Sequence, residues 1–282
     1  MKKRILLSAG IILGVLVMAL IVFRCIHAGK AETSLKTENA SSKIENASGE
    51  EKELFDLAKR SSKSGDLLGA GSAYQKIMEK FPGSVNIQKV QRASEDVNIR
   101  IITSSIPTPD SLSYEVAKGD TLSKIARKFS TTQDLIIKSN GLKNAKIVPL
   151  GRKLKIHNEK MSIAIDKSMN ILTLKSQNKI VKTYRVATGV NNCTPVGTFK
   201  VINKIVDPPW YATGGVIPPE SPKNILGSRW LGLSVKGYGI HGTTEPQSVG
   251  NQVTSGCIRM KNSEAEELYS LVPEGTEVVI VD

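Results

Sequence analysis

The sequence predicts a multidomain chain with an N-terminal transmembrane helix, a short α-helical spacer, a small α+β (βααβ) module and a mostly-β C-terminal domain. Three observations lead to this prediction: a long uncharged apolar run near the start, helical periodicity after it, and short strand-like runs separated by turn residues towards the end. With 282 residues, the chain has room for one or two ordinary domains with a buried core.

Residues 1–23 are predicted to form a membrane anchor. A basic start at residues 1–4 precedes nineteen uncharged residues, 5–23, a length that just spans a bilayer core of roughly 30 Å. The positive-inside rule keeps the basic end in the cytoplasm and places the rest of the chain outside. A cleaved signal peptide is the alternative, although no clear A-x-A site follows and Cys25 lies in a poor context for lipid attachment.

Residues 24–50 are predicted to be a flexible linker. The stretch 30–50 is rich in Lys, Glu, Ser, Asn and Ala, and its large apolar side chains are Leu35 and Ile44. So little apolar surface cannot offset the entropy lost on ordering, and a tether is therefore expected.

Residues 51–100 are predicted to be a helical spacer. Apolar residues recur at helical spacing up to Gly65, and again over residues 70–81 until Pro82. This stretch resembles one tetratricopeptide unit, but a single unit cannot bury both of its faces. A spacer that packs on itself or on a neighbour is preferred. Residues 101–113 then form a predicted proline-containing linker.

Residues 114–157 show a strand–helix–helix–strand pattern typical of a compact α+β module. Asp120 or Thr121 is expected to cap the first helix, and Thr131 or Thr132 the second.

This module resembles a LysM domain over its whole length. The residues that carry the resemblance are Tyr114, Glu115, Val116, Gly119, Asp120, Thr121, Leu122, Ile125, Ala126, Phe129, Asn140, Ile147, Gly151 and Leu154. That family binds glycans containing N-acetylglucosamine, which implies a peptidoglycan ligand. The implied groove lies between the turn and the loop before the last strand, at Gly119, Asp120, Thr121 and Ile147. A module that has lost binding is the alternative.

The charge distribution agrees with an acidic polymer as partner. The net charge is +13, and residues 114–157 alone carry ten basic and three acidic residues, a net of +7. Such a segment attracts nucleic acid, anionic lipid or an acidic polymer. Because no nucleic-acid-binding motif and few aromatic residues are present, no nucleic-acid partner is expected.

The three cysteines, Cys25, Cys193 and Cys257, show neither zinc-like nor CxxC spacing, so no metal site and no cofactor are expected. An odd number of cysteines in an exported protein leaves at least one thiol free or paired between chains.

Residues 161–282 are predicted to form a mostly-β domain with one helix, over residues 263–271, that Ser263 would cap. Two glycine-containing clusters stand out, at residues 239–243 and 254–260, and they contain His241 and Cys257 respectively. A neutral imidazole takes a thiol proton and later protonates a departing amine, while backbone N–H groups stabilise an oxyanion. Taken alone, both residues are more often ordinary buried side chains.

The two clusters together closely resemble the L,D-transpeptidase (YkuD) family. The resemblance covers residues 161–282 and rests on residues 194–197, 241–243 and 255–260. It implies Cys257 as nucleophile and His241 as base, with the Gly242 carbonyl holding the imidazole tautomer. It also implies oxyanion or substrate contacts at Gly256, Ser255, Thr254 and Arg259. Arg259 would support the loop or meet a substrate carboxylate, and a surface ion pair is the alternative.

One departure concerns the two residues before Gly256, where many members have Ser-His and this chain has Thr254 and Ser255. Cys257 and His241 are both retained, because the histidine usually found before the glycine is an auxiliary residue. The change affects hydrogen bonding at the donor site instead. A disulfide between Cys193 and Cys257 would silence the enzyme, and the sequence leaves it open.

The resemblance implies a cell-envelope enzyme that forms a cysteinyl thioester with a peptidoglycan tetrapeptide stem, releases D-alanine and passes the acyl group to an amine, giving a 3→3 crosslink. An L,D-carboxypeptidase and a peptidoglycan-binding scaffold with an inactive domain are the alternatives. The bulk of the chain is expected outside the cytoplasm, tethered to the inner membrane by residues 5–23.

Overall fold

A computed structural model describes residues 33–282 except 144–147, 178 and 213, and gives side chains from residue 49 onwards. Among these residues, no helix combines the length and the apolar character that crossing a bilayer requires. The predicted anchor at residues 5–23 lies outside the described part of the chain.

Three helices precede the first strand: α1 (Thr33–Ser64), α2 (Leu67–Lys80) and α3 (Ile87–Thr103). Helix α2 begins where the Asp66 carboxylate accepts the Gly69 N–H at 2.9 Å, as an N-cap does. The three helices share a cluster of buried apolar side chains: Ala58, Leu67, Ala70, Ala73, Tyr74, Ile77, Val90 and Val97.

The structure differs from the flexible linker predicted over residues 24–50, because α1 already begins at Thr33. Residues 33–48 contain neither proline nor glycine, the two residues that most disfavour a helix interior. This stretch therefore has too few apolar side chains to form a core of its own, but it still forms a helix. The linker predicted over residues 101–113 is shorter in the structure than in the prediction, since α3 ends at Thr103 and the first strand begins at Ser111.

The module after the helices has the predicted βααβ order: β1 (Ser111–Glu115), α4 (Leu122–Lys128), α5 (Gln133–Ser139) and β2 (Lys153–His157). Strands β1 and β2 pair antiparallel. Of the two candidates for each helix cap, Thr121 caps α4 and Thr132 caps α5, each through a backbone N–H three residues later.

The C-terminal domain is mostly β, as predicted. Its strands are β3 (Met161–Asp166), β4 (Ile171–Ser176), β5 (Lys179–Arg185), β6 (Thr188–Gly189), β7 (Gly197–Val206), β8 (Trp210–Ala212), β9 (Gly215–Ile217), β10 (Arg229–Leu233), β11 (Gly239–His241), β12 (Gln252–Thr254), β13 (Ile258–Arg259) and β14 (Glu277–Val281). Eight of them form one mixed sheet in the order β13-β11-β10-β7-β14-β3-β4-β5. Strand β6 pairs with β12 beside it, and β8 pairs with β9 as a separate hairpin.

Helix α6 (Asn262–Leu271) covers this sheet and buries Ala265, Leu268 and Leu271. It begins one residue before the predicted cap at Ser263, after Lys261, which makes no side-chain cap. The core of the domain also takes in Ile99 of α3 and Leu135 of α5. Helix α3 and the small module therefore pack on the C-terminal domain through shared apolar side chains.

Candidate active site

The sheet places His241 beside the strand that directly follows Cys257. Strands β11 and β13 pair in parallel, with Ile240 opposite Ile258 and His241 opposite Arg259. Side chains alternate along a strand, so Ile240 and Ile258 enter the buried core while His241 and Arg259 share the other face. Cys257 directly precedes β13, in the loop that leads into this strand.

The His241 ring is held in one tautomer. Its Nδ1 lies 2.6 Å from the Gly242 carbonyl oxygen. Because a carbonyl only accepts, Nδ1 carries the hydrogen and Nε2 presents its lone pair. The ring is 2% exposed and stacks on Trp230, with centroids 5.8 Å apart and planes at 19°. The role predicted for the Gly242 carbonyl agrees with this geometry.

The environment of His241 favours the neutral ring. Burial lowers the pKa of His241 from 6.5 to about 4, and the Arg259 charge acts in the same direction. The backbone groups of Gly242 and Leu226 oppose this effect and are outweighed. The imidazole is therefore uncharged, and able to accept a proton, throughout the neutral pH range.

Cys257 is a half-buried free thiol. Its Sγ donates to the Gly237 carbonyl at 3.5 Å. Burial raises the pKa of the Cys257 thiol, and the backbone of Gly239 and the charge of Arg259 oppose the rise without cancelling it. Burial therefore favours the uncharged form of both the Cys257 thiol and the His241 imidazole.

The loop that carries Cys257 is fixed by side-chain hydroxyls. Thr254 Oγ1 accepts the Gly256 N–H at 3.1 Å and donates to the Cys257 carbonyl at 2.6 Å. Gly256 has a φ of +117°, and a Cβ at this position would lie 2.5 Å from a ring carbon of Tyr238. Only glycine fits there without displacing the aromatic ring. Ser255, the remaining predicted residue of this loop, is exposed.

Arg259 is 7% exposed and forms an ion pair with Glu245, whose side chain is half exposed. Its Nη1 donates to Glu245 at 2.6 Å and to Ser248 at 3.2 Å. Within the described chain, its buried Nε has no hydrogen-bond partner. Burial together with a carboxylate partner makes Arg259 a support of the loop after His241.

Asn262 is a site residue that the sequence did not indicate. Its Oδ1 accepts the Thr243 N–H at 2.9 Å and the Ser228 N–H at 3.2 Å. These bonds fix the backbone beside Gly242, whose carbonyl orients the His241 ring. In a sequence, an asparagine at the start of a helix resembles a capping residue. No sequence signal therefore distinguishes a helix cap from a residue that holds the backbone beside Gly242.

Cys193 is an exposed free thiol, and its Sγ lies 3.9 Å from the Thr254 carbonyl oxygen. Within the described residues, neither Cys193 nor Cys257 is paired in a disulfide. The disulfide that the sequence left open is therefore not formed here, although Cys193 is close enough to add to the rise in the pKa of Cys257.

The residues predicted to bind glycan shape the turn before α4. The Asp120 carboxylate accepts the Tyr114 hydroxyl at 2.7 Å and the Ala117 N–H at 2.8 Å. These bonds lower the pKa of Asp120, that of Tyr114 contributing most. Thr121 caps α4, and the Gly119 carbonyl accepts Lys124 Nζ at 2.9 Å. Ile147 lies outside the described residues.

A groove of about 460 Å³ lies between the small module and the C-terminal domain, lined among others by Arg127, Asp134, Lys204 and Tyr269. It contains neither His241 nor Cys257. This groove is therefore separate from the site that contains the Cys257 thiol.

The sequence profile of the L,D-transpeptidase catalytic domain (YkuD) matches residues 160–280, and that of the LysM domain matches residues 114–157. YkuD of Bacillus subtilis, described as an L,D-transpeptidase, is 35% identical over 175 residues, which are 60% of this chain and 98% of that protein. YqjB of the same organism, also described as an L,D-transpeptidase, is 42% identical over 126 residues, which are 43% of this chain and 70% of the length of YqjB.

Among solved structures, the NMR structure of the catalytic domain of an E. faecium L,D-transpeptidase is 24% identical, with a TM-score of 0.37, over 45% of this chain and 100% of that one. An L,D-transpeptidase from Mycobacterium smegmatis is 19% identical, with a TM-score of 0.37. That alignment covers 47% of this chain and 64% of the mycobacterial protein.

Proposed function

This chain belongs to the YkuD family of L,D-transpeptidases, and from that premise we propose that Cys257 and His241 carry out its reaction on peptidoglycan stem peptides. The observation that supports these roles most directly is the 2.6 Å contact between His241 Nδ1 and the Gly242 carbonyl. It leaves Nε2 as the acceptor, on a strand whose parallel neighbour β13 directly follows Cys257.

The first half-reaction acylates the enzyme. His241 Nε2 takes the thiol proton as Cys257 Sγ attacks the carbonyl carbon of the third stem residue. A carbon–sulfur bond forms, and the carbonyl oxygen becomes an oxyanion beside the Cys257 N–H. Collapse breaks the bond to D-alanine, whose amine receives the proton from His241. The products are a thioester and free D-alanine.

The second half-reaction transfers the acyl group. An amine on a neighbouring stem loses a proton to His241 and attacks the thioester carbonyl. The new carbon–nitrogen bond gives a 3→3 crosslink, and the released thiolate of Cys257 recovers the proton. Water in place of the amine would make the same residues an L,D-carboxypeptidase.

The LysM module supplies peptidoglycan binding, and the cell envelope is where such a ligand occurs. Within the module, we assign the glycan contact to the turn at Gly119, Asp120 and Thr121 and, from the resemblance to the LysM family, to Ile147. The turn is held rigid by the Asp120 hydrogen bonds, so a bound glycan would meet a fixed backbone surface. Residues 5–23 would anchor the protein in the inner membrane with its domains outside the cytoplasm.

The reaction is tested with the full chain, purified in mild detergent and incubated with disaccharide-tetrapeptides in reducing buffer. Mass spectrometry of the products decides between the candidates. Loss of D-alanine together with dimers indicates transpeptidation, tripeptide alone indicates hydrolysis, and unchanged substrate indicates a scaffold.

The role of the thiol is tested by Cys257→Ala. This variant should lower turnover by at least about 10³-fold, because without the sulfur no thioester forms. Its glycan pull-down should be unchanged, since the LysM module lies elsewhere. Turnover that persists in Cys257→Ala would remove Cys257 from the mechanism.

A further inference from the structure

Thr194 connects two parts of the chain at the catalytic loop. It is 1% exposed, and it lies between β6 and β7. Its Oγ1 accepts the Gly189 N–H at 2.8 Å and donates to the Gly256 carbonyl at 2.8 Å. A single buried hydroxyl therefore holds the peptide that joins Gly256 to Cys257.

The direction of that peptide decides where an oxyanion can be bound. In a trans peptide, the carbonyl and the N–H point to opposite sides. Since Thr194 binds the Gly256 carbonyl, the Cys257 N–H points away from Thr194. Across the described ranges of the chain, this N–H donates to no other group. It is thus a free backbone donor on the residue that carries the nucleophile.

We propose that Thr194 is a positioning residue whose hydroxyl orients the Gly256–Cys257 peptide so that the Cys257 N–H stabilises the oxyanion. This inference rests on the proposed function. A peptide beside a glycine with a φ of +117° has few steric barriers to rotation, so its orientation has to be fixed by hydrogen bonds. Thr254 fixes the Gly256 N–H, and Thr194 fixes the carbonyl of the same residue.

The Thr194 backbone is itself immobilised. Its carbonyl accepts Lys167 Nζ at 2.9 Å, and Lys167 is 2% exposed. The same ammonium group forms an ion pair with Asp282 at 3.4 Å. On the other side, a Cβ on Gly189 would lie 2.7 Å from Thr194 N and 2.9 Å from Gly256 Cα, so these segments are in direct contact. The hydroxyl is therefore presented from a rigid support.

A purely structural role for Thr194 makes a different prediction. If Thr194 only held the loop in place, its loss would disturb the whole loop that carries Cys257 and would slow every reaction of the Cys257 thiol. Loss of peptide orientation would slow only reactions that pass through an oxyanion. Alkylation by iodoacetamide is a direct displacement without such an intermediate, so it separates the two roles.

The experiment compares three variants of the full chain in detergent. Thr194→Val has nearly the same shape and lacks the hydroxyl, whereas Thr194→Ser keeps it. Thr276→Val is the matched control, because Thr276 is also buried and donates to the Pro273 carbonyl at 2.7 Å in the same domain. For each, kcat and KM are measured by D-alanine release from tetrapeptide substrate, and alkylation of Cys257 is followed by peptide mass spectrometry.

Thr194→Val should lower kcat by about 10- to 100-fold, somewhat less than loss of an oxyanion donor, because the peptide can still visit the active orientation. Its KM and its Cys257 alkylation rate should stay within about threefold of the wild type. Thr194→Ser and Thr276→Val should keep kcat within about threefold of the wild type. Should Thr194→Val not fold, Thr194→Ala removes the same hydroxyl with less crowding.

An unchanged kcat in Thr194→Val overturns the inference, and so does an alkylation rate that falls in parallel with kcat. An equal loss of kcat in Thr276→Val overturns it as well. These results leave the proposed function standing if the wild type releases D-alanine. A wild type that alkylates at Cys257 but releases no D-alanine overturns the proposed function and, with it, the role of Thr194.

Discussion

The buried imidazole of His241 should make the stability of the fold depend on pH in the acid range. Its pKa is about 4 in the folded protein, against 6.5 for an exposed histidine. This difference corresponds to roughly 3 kcal/mol in favour of the neutral ring. Between these two pH values the unfolded chain binds a proton that the folded ring does not. The contribution of His241 to the free energy of unfolding is therefore lost as the pH falls from about 6.5 to about 4.

This dependence is measured by urea unfolding at about pH 7 and about pH 4.5, in the wild type and in His241→Gln. Trp230, which stacks on the ring, reports unfolding by its fluorescence. His157 is also buried with a lowered pKa, and its effect cancels because both proteins contain it. The stability advantage of the wild type should shrink by about 2 kcal/mol between the two pH values. An identical pH dependence in both proteins would refute the assignment of a neutral, low-pKa His241.

Four further outcomes are expected. The rate of Cys257 alkylation in the resting enzyme should rise about tenfold per pH unit from about pH 6 to about pH 8, because burial raises the thiol pKa; a flat profile would mean a preformed thiolate. Asn262→Ala should slow D-alanine release and cost about 2 kcal/mol of stability, since two N–H groups lose their acceptor, while Asn262→Asp keeps an acceptor and should recover most of both; equal losses would contradict this role. Cys193→Ser should keep turnover within about twofold, since its thiol makes one long contact; a large loss would assign Cys193 a part in the reaction. Asp120→Ala should weaken glycan pull-down while D-alanine release from soluble muropeptides persists, and unaltered pull-down would place the glycan site elsewhere.

Local signals in the sequence predicted those features that depend on neighbouring residues. Polar residues before an apolar helical run narrowed each cap of α4 and α5 to two adjacent candidates, of which Thr121 and Thr132 bond an N–H three residues later. The mostly-β character of the C-terminal domain followed from short runs and turn residues in the same way. The site motif was also compact enough for resemblance to assign roles to Cys257 and His241.

The sequence failed where a partner is distant along the chain or where composition misleads. The contact of Thr194 with Gly256 spans 62 residues, and that of Asn262 with Ser228 spans 34. Each depends on how the sheet brings loops together, which no local pattern encodes. The flexible linker predicted over residues 24–50 differs from the structure, in which α1 begins at Thr33, for another reason. Low hydrophobicity indicates the absence of a core and does not by itself indicate the absence of a helix.

Hydrogen bonds join the LysM module to the parts of the chain on both sides of it. Thr132 caps α5 and also donates a hydrogen bond to the Ser270 carbonyl in α6, the helix that follows the catalytic loop. Lys155 of β2 donates to the carbonyls of Ile101 and Ser104 at 2.9 Å each, which joins the LysM module to α3. Such buried polar bonds, added to shared apolar packing, resist independent motion. If glycan binds at the proposed turn, the stem peptides of that strand reach Cys257 only at a fixed offset, so the module would select which stem is cut as well as raise its local concentration.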